Sequence, residues 1–591
     1  MVAQTAISSP ELPKHSRSTP VPAMTTSHEI PHLRKTKTSS QLIVNGKPYL
    51  CLGGELHNSS LSNAEYMKTV WQNMGDMHVN TLLGSVTWEM IEPTEGHFDF
   101  AELDKVIVDA RQHGIHLVLL WFGSFKNAMS TYVPGWVKRD AKRFPRVHIE
   151  DESRKLKTIE LLSPFNQRAW EADAKAFTAL MRHLREFDRE HSTVIMMQVE
   201  NETGLLGDSR DRSTLANELF KQPVPHELLR KLQSKASQPL FQKRFPQFLS
   251  VTAGATWEEA FGKGIAAEEM FMADAFSKYV GVVAAAGKAE YPIPFYANVW
   301  LNFDDPSILD LDGIPLGQGT PTVAGGGAKA GVYPSGGPCP HTMDVWKANA
   351  PALDFIAPDL YLHDYEWVCE QYRYGNQPLF IPEQKRDEQG ARRVMLAYGT
   401  YSALGCCPFG IDSLLAKDSP MTRVYRLLGS MKKHILEAQT NRPEDMMGFF
   451  FDELHQKKGR DKWVKTFGEF EVTVERSFVF GKPGAGSGII IHQGNGKFLL
   501  IGWGFQVVFK STNPKSTFTG ILYSEEKTVD EEGSLHTARV MNGDETRSGE
   551  FYIMPNEDPD YGGFPIAVTI PARTGIAECT AYSIEEDESE F

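Results

Sequence analysis

Apolar residues fall into two alternating patterns between residues 49 and 435. Short, nearly continuous apolar runs alternate with longer stretches whose apolar residues stand three and four apart. The first pattern predicts buried strands, the second amphipathic helices. Strands are expected at 49–54, 79–84, 115–122, 194–199, 294–299, 353–360, 379–382 and 403–411. One helix follows Ser62 and Asn63 and carries Met67, Val70, Trp71 and Met74 on one face. A second carries Leu103, Val106, Ile107 and Ala110, with Gly114 as its C-cap. A third carries Trp170, Ala174, Phe177, Met181 and Leu184, and the last Met421, Val424, Leu428, Met431 and Ile435. Eight strand–helix units predict an α/β chain built on a (β/α)8 TIM barrel, at residues 41–440. A hairpin with an Asn45-Gly46 turn opens it. A long, mostly helical insertion follows the fourth strand and ends in a helix near 273–286.

The pattern breaks at three places. Residues 1–40 are rich in Ser, Thr, Pro and His and are expected to form a disordered tail. Residues 301–351 are rich in Gly and Pro. They leave the fifth strand on the face where a barrel carries its chemistry, so they are expected to wall the pocket. After residue 442 helical spacing gives way to alternation, at 470–480, around Gly494-Asn495-Gly496 within 488–508, at 566–570 and at 579–584. Residues 441–591 are therefore expected to form an all-β domain, a sandwich or jelly roll, with a frayed acidic end at 585–591.

Composition narrows the partner classes. A chain of 591 residues is too long for one hydrophobic core, and its formal charge of -14 disfavours nucleic acid and anionic membranes. No run approaches the roughly 20 apolar residues of a membrane helix. No signal peptide is seen, so a cytoplasmic location is expected. The six cysteines, Cys51, Cys339, Cys369, Cys406, Cys407 and Cys579, show no metal-ligand spacing and are expected to be buried thiols. With no HExxH and no EF-hand loop either, neither metal nor cofactor is expected. A neutral substrate suits the charge, and assembly into a homo-oligomer is left open.

Two of the expected strands end abruptly in carboxylates. Met196-Met197-Gln198-Val199 runs into Glu200-Asn201-Glu202, and Leu379-Phe380-Ile381-Pro382 runs into Glu383. An ionised carboxylate is costly to bury unless it is paired or used. A salt-bridged acidic loop would explain either one alone. Two at the ends of strands four and seven would face each other across a barrel mouth, as glycosidic cleavage requires. Other strand ends supply Glu55, His57, Trp88, Glu89, Trp121, Asn298, Trp300, Asp359 and Tyr361. Indoles there could stack on sugar faces, and the polar groups bind hydroxyls. Gln198, Glu200 and Glu202 share one side of a strand, so alternation leaves both glutamates open as the acid.

Gln198-Val199-Glu200-Asn201-Glu202-Thr203-Gly204 resembles the QVENEYG motif of glycoside hydrolase family 35, the β-galactosidases of clan A. Residues 88–100, WEMIEPTEGHFDF, resemble that family's WxxxEPxxGxFDF segment. The resemblance covers about residues 41–439. It implies that Glu202 is the acid/base, that Asn201 bonds the sugar 2-hydroxyl, and that Glu383 is the nucleophile. Thr203 stands where the family has Tyr, Gly53-Gly54-Glu55-Leu56-His57 departs from its first strand end, and Ile381-Pro382-Glu383-Gln384 looks nearer to family 42. The implied activity is a retaining, exo-acting hydrolysis of terminal β-galactosyl residues of an oligosaccharide or glycoside. The alternatives are another clan A β-glycosidase, such as a β-glucosidase, β-xylosidase or β-glucosaminidase, and a non-enzymatic sugar-binding barrel.

Overall fold

The computed structural model describes residues 28–151, 153–234, 238–303, 309, 326–453, 460–477, 484–541, 543–554 and 573–586. Eight parallel strands close into a barrel: β1 (Cys51–Glu55), β2 (Thr81–Thr87), β3 (His116–Phe122), β4 (Val194–Val199), β5 (Phe295–Trp300), β6 (Phe355–Leu360), β7 (Phe380–Gln384) and β8 (Gly405–Pro408). Neighbours in sequence are neighbours in the ring, and β8 returns to β1. The strands read as apolar runs because they are buried on both faces. Cys51, Leu83, Leu120, Phe122, Met196, Tyr296, Phe355, Phe380 and Cys407 fill one core, and residues of the opposite phase, such as Leu52, Leu119, Trp121 and Ile381, pack in another with the helices.

Helix Gln167–Asp188 shows how sequence sets a boundary. The Asn166 side chain accepts from the Ala169 N–H at its start, and Phe177, Leu180, Met181 and Leu184 are buried along one stripe. The insertion after β4 is helical as expected, ending in Ile265–Glu290. A hairpin between β3 and its helix, Arg146–Glu150 paired with Leu156–Leu162, was not legible in the apolar pattern.

The expected tail is corrected from residue 28 onward. His32–Lys35 pairs with Ser40–Val44, which pairs with Lys47–Pro48 through the Asn45-Gly46 turn. Leu42 and Val44 join the barrel-interior core, so this small sheet plugs the barrel at the end opposite the strand tips. Arg373 fixes it by donating to the Ser39 hydroxyl and the Thr38 carbonyl. Residues 1–27 and the strand expected at 566–570 lie outside the described residues.

From residue 446 the described residues form two antiparallel sheets, one of six strands and one of four. Where two strands were expected in 488–508 there are three, Gly486–Gly494, Lys497–Trp503 and Phe505–Ser511. The first strand, Met446–Phe451, packs on helix Glu388–Gly399 so closely that a side chain at Gly448 would collide with the Met395 carbonyl. Beside this contact the buried Arg393 makes two parallel bonds to buried Asp452, at 2.9 and 2.8 Å. Among the described residues no helix is long and apolar enough to cross a membrane.

Candidate active site

Strict alternation stops where β4 ends. Glu200 and Glu202 both take positive φ, 61° and 44°, with Asn201 between them. The two glutamates therefore leave the strand on different sides. Glu200 turns under the loop that follows β3, where its carboxylate accepts from the Ser124 N–H (3.2 Å) and the Phe125 N–H (2.6 Å). Glu202 turns into the barrel mouth, and its own N–H donates to Asn298 Oδ1 at 2.8 Å.

A second irregularity aims Glu383. Phe380 faces the barrel interior, so alternation would turn Glu383 outward. The register between β7 and β8 shifts between Ile381 and Gln384, and this bulge re-phases the strand. Glu383 then accepts a 2.7 Å bond from the Tyr361 hydroxyl, whereas Gln384 bonds Tyr365 in the outer layer. Trp300 pairs with Asp359, and Asp359 with Glu383, so three strand tips hold these side chains in one row. Glu202, Asp359 and Glu383 each bring an oxygen within 4.8 Å of the others. Such a set could hold a cation, and Lys126 already supplies positive charge beside it.

Lys126 is buried, 4.9 Å above the Phe122 ring, and donates to Asn201 Oδ1 at 3.0 Å. Burial pulls its ammonium down, but Glu383, Glu202, Glu55 and Asp359 outweigh this and raise it. Burial first, then anionic Glu383, pushes the Glu202 carboxyl up to about 8, against the opposing pull of Lys126 and Asp359. The same two causes hold the Glu55 and Asp359 carboxyls well above the usual range. At neutral pH Glu202 is therefore a carboxylic acid with a proton to give.

Of the residues expected at the mouth, Glu55, Asn201, Glu202, Asn298, Trp300, Tyr361 and Glu383 come together. Four do not. Trp88 begins a helical turn, Trp88–Ile91, which swings its ring into the core against Trp136 and its indole N–H onto Glu92 at 2.8 Å. Trp121 lies on the helix-facing side of β3, packs on Phe177 and donates to Asp173 at 2.9 Å. Neither can stack on a sugar. Glu89 is exposed, 3.6 Å from Lys138. His57 is half-exposed and held by Asp412 at 2.7 Å. Lys126 was missed because a lone lysine in a loop carries no periodic signal.

Residues 58–252 match the family described as Beta-galactosidase, of the glycoside hydrolase 42 type. Residues 421–553 match a family described as a domain of unknown function (DUF5597). A β-galactosidase of Xanthomonas manihotis is 28% identical over 174 residues, 29% of this chain and 26% of that protein. The chain thus spans about a quarter of the length of that curated relative. Among solved structures, a β-galactosidase from Bacillus circulans sp. alkalophilus aligns at TM-score 0.42 and 13% identity, over 66% of this chain and 57% of that one. A catalytic mutant of a family-42 β-galactosidase from G. stearothermophilus aligns at 0.43 and 17%, over 67% and 58%. The β-galactosidase likeness expected from the sequence is thus matched, through family 42 rather than family 35.

The matched stretch 58–252 delivers Glu202, Asn201 and Lys126 to a pocket rich in unpaired polar atoms. Glu55 Oε1 and Oε2, Asn201 Nδ2, Tyr296 OH, Trp300 Nε1, Asp359 Oδ1 and Glu383 Oε1 are buried and find no partner among the described residues. Each such group costs about 1–3 kcal/mol if left unbonded. The set mixes donors and acceptors, which suits a ligand carrying several hydroxyls. Part of the expected pocket wall is described. Ser335 bridges to Leu205, and Gly337 packs on the Thr203 carbonyl, so residues 330–342 lie against the chain leaving Glu202.

Proposed function

We propose that this chain is a retaining, exo-acting β-glycosidase that removes terminal β-galactosyl residues. One observation carries the reading: Glu202 and Glu383, from β4 and β7, bring carboxyl oxygens within 4.8 Å of each other in a buried pocket. Retaining enzymes hold their carboxyls about 5–5.5 Å apart, and inverting ones roughly 6.5–9.5 Å. In this reading Glu383 attacks the anomeric carbon, with the Tyr361 hydroxyl fixing its other oxygen. Glu202 donates its proton to the leaving oxygen, which breaks from the sugar as the ester to Glu383 forms. Glu202 then takes a proton from water, whose oxygen displaces Glu383 and restores the free enzyme. Asn201, held by Lys126, bonds the sugar 2-hydroxyl, and Glu55, Asp359, Asn298 and Trp300 contact the remainder of the ring. Glu202 and Glu383 are both buried, which supports action on a chain end.

A panel of aryl β-glycosides tests the proposal. The β-galactoside should be turned over fastest. Faster turnover of the β-glucoside, β-xyloside or β-glucosaminide would replace the sugar but keep the mechanism. Binding without turnover of any of them would favour a sugar-binding barrel.

A further inference from the structure

The glutamate of the β4 motif that does not enter the pocket has work of its own. Glu200 and Asp173 are both completely enclosed, and three donors converge on them. Trp121 Nε1 donates to Asp173 Oδ1 (2.9 Å), Ser124 N to Asp173 Oδ2 (3.0 Å) and Glu200 Oε1 (3.2 Å), and Phe125 N to Glu200 Oε2 (2.6 Å). A side chain at Gly123 would lie 2.6 Å from Glu200 Oε1 and 2.7 Å from Asp173 Oδ1, so the loop backbone rests directly on both carboxyls. Among the described contacts no cation reaches them. Two bare carboxylates that close in a dry site would repel strongly, so one proton between them is the stable arrangement.

What rests on the pair is the pocket. The segment it holds, 123–126, ends in Lys126. The Asn201 N–H donates to the Phe125 carbonyl at 3.1 Å, and the Ala128 N–H to the Glu202 carbonyl at 3.2 Å. Four non-glycine residues with positive φ meet here: Asn127 (51°), Ala128 (56°), Glu200 (61°) and Glu202 (44°). Such conformations cost about 1–3 kcal/mol each and persist only where surrounding bonds impose them. Tyr279 and Ser124 close the cluster through a 2.6 Å bond between their hydroxyls.

We propose that Glu200 and Asp173 form a proton-sharing carboxyl pair that positions Lys126, Asn201 and Glu202, making Glu200 a positioning residue and not the catalytic acid. Burial, and then Asp173, push the Glu200 carboxyl well up, and burial raises Asp173 as well.

The inference rests on the glycosidase reading, and its test keeps the two apart. Glu200→Gln keeps a neutral group that donates to Asp173 and accepts from Phe125. Its kcat/KM on an aryl β-galactoside should stay within about threefold of wild type, with KM unchanged. Glu200→Leu removes both acceptors, and kcat should fall at least ~100-fold, as for a misplaced catalytic group. Hydrogen exchange reads the pair without turnover: the Phe125 amide, which bonds Glu200, should be protected in wild type and Glu200→Gln and exposed in Glu200→Leu, whereas the Ser124 amide keeps Asp173 as an acceptor. A Glu200→Gln enzyme that loses natural-substrate turnover and regains it with azide would overturn the inference. So would unchanged protection in Glu200→Leu. If Glu200→Leu does not fold, the Gln variant decides alone. A wild type that turns over no glycoside would refute the glycosidase reading and leave the exchange result standing.

Discussion

Neutralising Glu383 should release the proton on Glu202, and the size of the effect follows from the pocket. Oxygens of the two carboxyls lie within 4.8 Å of each other. At an effective dielectric constant of about 20, unit charges at that separation interact by about 3.5 kcal/mol, equivalent to about 2.5 pH units. Glu202 stands at about 8 in the free pocket, with burial as the larger cause and anionic Glu383 the second. Its carboxyl is raised, so it is protonated below that pH and the acid is lost above it. On an aryl β-galactoside, the alkaline limb of kcat/KM should therefore fall near pH 8. In the proposed reaction esterification of Glu383 removes the anion, and Glu202 should drop by about 2.5 pH units, ready to act as base. Glu383→Gln mimics that state. Carbon-13 NMR titration of labelled glutamate carboxyls should place Glu202 about two or more units lower in Glu383→Gln than in wild type. A Glu202 that titrates below pH 6 in wild type, or that does not move when Glu383 is neutralised, would refute the reasoning.

Three further outcomes are expected. Glu383→Ala should abolish turnover of every substrate, while Glu202→Ala should still react with dinitrophenyl glycosides and be rescued by azide, giving a β-glycosyl azide; rescue at Glu200→Ala instead would reverse the assignment. Lys126→Met removes the cation that pulls Glu202 down, so kcat/KM should fall by about 10²–10³ and its alkaline limb should move upward; a limb that stays or falls would show that Lys126 does not act on Glu202. Asp452→Ala removes the bidentate partner of buried Arg393, so urea unfolding should show a loss of about 3 kcal/mol, and a change under 1 kcal/mol would place the strength of the junction between barrel and β-sheets elsewhere.

Much of the fold was legible because each strand is a short apolar run with a period change on either side. Val194–Val199 falls where the pattern put it, and the other strands lie within a few residues. Which way a side chain points was less legible. Strand β3 is apolar on both faces, so nothing in its sequence says that Phe122 faces the barrel interior and Trp121 the helices. Glu383 reaches the mouth only through a bulge, and Glu200 and Glu202 part only because the backbone turns left-handed, and neither feature has a periodic signature. The hairpin 146–162 and the strand His32–Lys35 are rich in charged residues, which hid them among loops, whereas the Asn45-Gly46 hairpin that His32–Lys35 joins was legible. Glu200 differs again. Alternation could not separate it from Glu202, and its acceptor bonds to the loop show the different place the left-handed turn gives it.

The stereochemistry of the first-formed sugar tests the central claim most directly. Proton NMR during hydrolysis of an aryl β-galactoside should show the β-anomer first, with the α-anomer appearing only by mutarotation. A first-formed α-anomer would mean that water, and not Glu383, attacks the anomeric carbon, and would contradict the account.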